Sequence, residues 1–97
     1  MPKGYWIARV DVHDLDVYKT YIAANAAPFA QYGARFLVRG GETVLKEGTS
    51  RSRNVVIEFP SYEAALACYD SPEYQAAKAL RDPVSEGDLV IVAGYDA

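Results

Sequence analysis

Arg9, Arg39 and Glu58 are the side chains of this 97-residue chain best suited to gripping a small polar molecule. An arginine can hold a carboxylate with two parallel hydrogen bonds. A glutamate set in a central strand is costly to desolvate alone and needs a cationic or hydrogen-bonding partner. Two uses fit these residues: an ion pair that fixes register within the sheet or between subunits, and a polar floor for a small anionic or carbonyl ligand. His13 is the sole histidine and stands between Asp11 and Asp14. Its titratable ring makes it the leading candidate for a catalytic general base. No nucleophile or metal partner accompanies it, and a solvated turn residue is the plainer account. The eight tyrosines are the other excess. Tyr18, Tyr21, Tyr69 and Tyr74 fall on helical stretches, where a large ring with one hydroxyl serves core packing or a ligand-lining wall. Cys68 reads as a small buried residue between helix and sheet.

Several chemistries lack their residues. One histidine and one cysteine give no metal-ligand spacing, so the expectation is no metal and no organic cofactor. Gly40 and Gly41 belong to neither a GxxxxGK nor a GxGxxG phosphate-binding pattern. A formal charge of −3 and a pI near 5.0 argue against nucleic acid as a partner. No apolar run approaches the roughly 20 residues that span a bilayer, and the first residues lack a signal-peptide core, so no membrane partner is expected. The lone cysteine suits a reducing compartment, and the expected location is cytoplasmic.

Strands are predicted at Tyr5–Val12, Ala34–Gly40, Arg53–Phe59 and Asp88–Tyr95. Apolar residues from Leu15 to Tyr32 recur at three- and four-residue steps, which predicts a helix capped by Asp14. Pro28 should break it near Ala26 and Ala27, and Gly33 should end it. Ser61 caps a second helix that breaks at Asp70 and restarts at Ser71–Pro72, because a missing donor costs nothing at the first helical position. Asp82 and Pro83 stop it. The Glu42–Ser52 connection is long for a hairpin, with a brief extended stretch expected at Thr43–Leu45. Ninety-seven residues in this strand, helix, strand, strand, helix, strand order make one α+β domain, 1–97, with helices on one face of the sheet.

Strand alternation sorts the side chains by face. Trp6, Val10, Phe36, Val38, Val55, Ile57 and Phe59 are expected toward the helices, with Arg9, Asp11, Arg39 and Glu58 opposite. Val55–Ile57 and Leu89–Val92 are unbroken apolar runs, the mark of strands buried on both sides. Two helices cover only one face of four strands, so a homodimer through the open face is expected.

The segments GYWIARVDV, FLVRGG, RNVVIEFPSYEAALACYDSPEYQ and DLVIVAGYD span nearly the whole chain. Together they resemble the bacterial domain of unknown function 1330 family. The resemblance implies a ferredoxin-like βαββαβ sandwich of the dimeric α/β-barrel type and no settled activity. RGG (39–41), EFPS (58–61) and SPEY (71–74) are family marks without assigned roles. The function that fits best is a homodimer binding a small organic metabolite. One alternative is a monooxygenase- or isomerase-like enzyme without a cofactor, by analogy of fold. The other is a structural or protein-binding dimer without a ligand.

Overall fold

A computed structural model describes residues 2–95. Strand β1 covers Gly4–Val12, and Asp14 then caps helix α1 (Leu15–Ala24) by accepting the Val17 N–H at 3.2 Å. Asn25 separates α1 from α2 (Ala26–Gln31). Pro28 is the third residue of α2, where its N–H would have no partner within the helix, so the chain breaks just upstream and restarts. Gly33, at φ +74°, closes α2: its own N–H donates to Ala30 C=O and the Ala34 N–H to Phe29 C=O. Strands β2 (Arg35–Arg39) and β3 (Arg53–Phe59) follow. Ser61 caps α3 (Tyr62–Asp70) and Ser71 caps α4 (Pro72–Arg81), each hydroxyl accepting a backbone N–H three residues on. A single 3₁₀ turn at Asp82–Val84 leads into β4 (Ser85–Ala93). That strand starts three residues before the predicted Asp88, because Gly87 and Glu86 already pair with Val10 and Asp11 of β1.

The four strands lie in the order β2-β3-β1-β4, antiparallel throughout, which is the ferredoxin-like α+β arrangement. The Cα trace is only 17 Å deep, the depth of one sheet and one helix layer. Trp6 is the hub of the core between them. Its ring centroid lies 4.9 Å from that of Tyr74, 5.2 Å from Phe59 and 5.3 Å from Phe29, and its indole N–H donates to Ala65 C=O at 2.9 Å. The opposite face carries Tyr5, Ile7, Val56, Val90 and Val92, with Ile7, Val90 and Val92 well exposed.

One expectation of facing is corrected. The pairing of β2 with β3 slips between Phe36 and Val38, so Phe36 stands opposite Ile57 but Val38 opposite Val56 and Arg39 opposite Val55. An extra residue in one strand reverses the alternation beyond it. Val38 therefore lies on the open face and Arg39 on the helix face, the reverse of simple alternation. The Thr43–Leu45 stretch is also not a strand; residues 40–52 carry no regular structure. Their C-terminal end is tied to the sheet by Asp11, which accepts the Ser52 N–H and an Arg51 N–H, both at 3.0 Å. Those bonds, the Ser52 amide foremost, hold the Asp11 carboxyl below its usual range.

Candidate functional site

A cleft opens between α1 and the sheet. Tyr18, Tyr21 and Asn25 of α1 and its C-cap form one wall, and Trp6, Val55 and Phe36 part of the other. Its interior is about 80 Å³. One water needs about 10 to 15 Å³ on this scale, so the space suits several waters or one small ring.

Three guanidinium groups stand over the aromatic walls. Arg39 lies 4.0 Å from the centroid of Phe36, Arg81 5.4 Å from that of Tyr21 and Arg53 5.9 Å from that of Tyr18. Arg81 is partnered, reaching Asp82 at 3.2 Å and the Tyr74 hydroxyl at 3.4 Å. Arg39 and Arg53 have no carboxylate within 4.0 Å among the described residues. The Arg53 Nε is buried and makes no hydrogen bond. A donor left in that state costs about 1 to 3 kcal/mol, which a water or a ligand acceptor in the cleft would offset.

Local sequence explains how these cations arrive. Arg53 shares the parity of Val55, Ile57 and Phe59 and so points to the helix side. The slip in β2 turns Arg39 to the same side. Gly40, at φ +71°, then lets the chain pass against Arg53; a Cβ there would overlap Arg53 Nη1. Arg39 and Gly40 of the RGG segment thus border and shape the cleft. The SPEY segment acts from beneath. Ser71 caps α4 and places Tyr74, fully buried, where its hydroxyl meets that of Tyr21 at 2.9 Å. Burial pushes the Tyr74 phenol well up from its usual range, so it stays protonated. In EFPS, Phe59 is fully buried and Ser61 caps α3.

The other predicted site residues are dispersed. Arg9, Asp11 and Glu58 belong to the open face as expected; Arg9 and Asp11 border a hollow of about 570 Å³ under residues 43–52, and Arg9 also borders the cleft. Glu58 is partnered by neither Arg9 nor Arg39. It accepts the Tyr5 hydroxyl at 3.1 Å and lies 3.9 Å from Lys3 Nζ. Tyr18 and Tyr21 line the cleft, whereas Tyr69 and Tyr74 pack edge-on against Trp6 behind it. His13 is exposed, outside the cleft, and its backbone N–H donates to Val84 C=O at 2.7 Å. Sequence reasoning missed Arg53, Arg81 and Asn25. The signal for Arg53 was present, a lone charge at an apolar-face position; Arg81, one arginine in the last turn of a helix, gave none.

Cys68 is fully buried and its thiol faces the Pro28 carbonyl at 3.8 Å. Burial pushes it up to about 12. The thiolate is the reactive form, so the folded protein is expected to resist iodoacetamide at pH 8 and to be alkylated at once in urea. Rapid labelling without denaturant would contradict this burial. Because the folded value is raised, the group's contribution to stability is full below about pH 9 and declines as pH rises toward 12.

No curated protein matches the sequence. Solved structures do share the fold. A protein of unknown function from Rhodopseudomonas palustris, RPA0582, is 14% identical with a TM-score of 0.77, over 99% of this chain and 85% of that one. SnoaB, a cofactor-independent oxygenase from Streptomyces nogalater, is 16% identical with a TM-score of 0.64, over 100% and 97%. A dimeric ferredoxin-like protein of unknown function from Thermobifida fusca is 22% identical with a TM-score of 0.63, over 95% and 91%. At these identities the likeness is one of fold. The sequence pattern of the domain of unknown function family DUF1330 matches residues 3–95, nearly the full chain, and the protein belongs to that family.

Proposed function

We propose that the protein is a homodimer, paired through the bare face of its sheet, and that each subunit binds a small organic metabolite in the cleft between α1 and the sheet. The observation that carries the reading is the cleft itself, a mostly apolar hollow toward which a few polar groups converge, among them Arg53, whose Nε has no acceptor. The apolar open face supports the dimer, as does the dimeric description of the Thermobifida fusca relative in fold. A reducing, cytoplasmic setting suits the single free cysteine.

The enzymatic alternative rests on the fold shared with SnoaB. Among the described residues no free base stands in the cleft. His13 lies outside the cleft, Tyr74 is held protonated, and Asp88, which borders the cleft, is bound to Arg51 at 3.0 Å. Binding without turnover is therefore the stronger reading. Native mass spectrometry of the protein purified from its own cells tests it. The expected result is a dimer mass carrying one small molecule per subunit, released on denaturation. Bare monomers would overturn both halves of the proposal.

A further inference from the structure

The geometry points to a flat monocarboxylate, an aromatic or conjugated organic acid, as the ligand class of this cleft. The inference rests on the binding role proposed above and specifies its chemistry. The first ground is charge. The chain as a whole is acidic at −3, yet the cleft gathers Arg9, Arg39, Arg53 and Arg81, and of these only Arg81 has a carboxylate partner among the described residues. Asp88, the acid at the border, is already engaged by Arg51. The local sign is thus the reverse of the molecule's, and an anion entering the cleft meets guanidinium groups that no carboxylate neutralises.

The second ground is shape. The cations stand against ring faces, Arg39 on Phe36 and Arg53 near Tyr18, so charge and flat apolar surface are presented together. A small ring can lie along Tyr18, Phe36 and Trp6 while its carboxylate reaches the arginines. An interior of about 80 Å³ suits one small ring better than a ligand that must be enclosed over a greater length. The third ground is the buried Arg53 Nε without an acceptor. A small turn of the guanidinium presents Nε and one Nη side by side, the spacing of two carboxylate oxygens.

Trp6, the only tryptophan, borders the cleft, so its fluorescence reports occupancy. The test is titration of the full chain with benzoate and with benzamide, its neutral isostere. Benzoate is expected to bind at least about tenfold more tightly, equivalent to about 1.4 kcal/mol. Arg53→Met and Arg39→Met, each checked for folding by circular dichroism, are expected to bring the two affinities together by weakening benzoate alone. Equal affinities in the unaltered protein would overturn the acid preference and leave the binding cleft standing. Failure of both compounds to bind at millimolar concentration would overturn the cleft reading as well. Inorganic phosphate competing as well as benzoate would overturn the carboxylate class. Should Arg53→Met fail to fold, Arg39→Met decides the point, and an unchanged preference in it overturns the role of the paired cations.

Discussion

Replacing Trp6 with alanine is expected to cost about 3 to 5 kcal/mol of stability, a large share of the roughly 5 to 15 kcal/mol that holds a domain of this kind. The indole is only 1% exposed and sits at the meeting point of β1, α2, α3 and α4. Truncation removes three kinds of support at once. It opens a void next to Phe29, Phe59, Tyr69 and Tyr74, whose rings pack on the indole edge-on or tilted. It also strips the Ala65 carbonyl of its donor inside the core. Finally, it enlarges the cleft, since Trp6 forms part of its wall. Trp6→Phe separates these effects, keeping much of the ring volume but not the N–H, and is expected to lie between alanine and the parent. Urea unfolding followed by circular dichroism, at one fixed protein concentration because association contributes to stability, provides the measurement. A loss below about 1 kcal/mol in the alanine variant would mean that the core is not organised around this ring.

The order of elements was legible because local chemistry marks each boundary. Asp14, Ser61 and Ser71 are small polar caps at the start of apolar periodic runs, and all three accept the N–H expected of a cap. Gly33 ended its helix as its freedom at positive φ allows. The facing of β2 was illegible for a definite reason. Alternation is reliable only while pairing is unbroken, and nothing in FLVRGG announces the slip between Phe36 and Val38. That single residue decides the site. Without it Arg39 would project from the open face and the cleft would hold one unpaired cation fewer. Arg53 was legible in principle and overlooked because Glu58, on the other face of the same strand, drew the polar reading. Arg81 could be placed only by tertiary structure, since α4 must dock on α1 before its last turn reaches Tyr21.

Val90→Glu is expected to turn the proposed dimer into a monomer, raising its dissociation constant by at least about a hundredfold, equivalent to about 2.8 kcal/mol. The argument turns on an asymmetry between the free and the paired subunit. Val90 is 56% exposed in the separate chain, where a surface substitution ordinarily changes stability by no more than about 0.5 kcal/mol. Across a two-fold interface the same residue appears twice, so one substitution buries two carboxylates in a patch made of Ile7, Val56 and Val92. Leu15→Asp is the control, because Leu15 is equally exposed at 57% but belongs to α1 on the other side of the sheet. Sedimentation velocity at micromolar concentration distinguishes the two. A dimer that survives Val90→Glu but falls apart with Leu15→Asp would move the interface to the helices. An intact dimer in both variants would free the open face from its assigned role, and the apolar runs of β3 and β4 would then need another explanation. Loss of the dimer in Val90→Glu alone, with benzoate binding unchanged, would show that the two faces of the sheet do separate work: one joins subunits through apolar contact, and the other holds the ligand against its arginines.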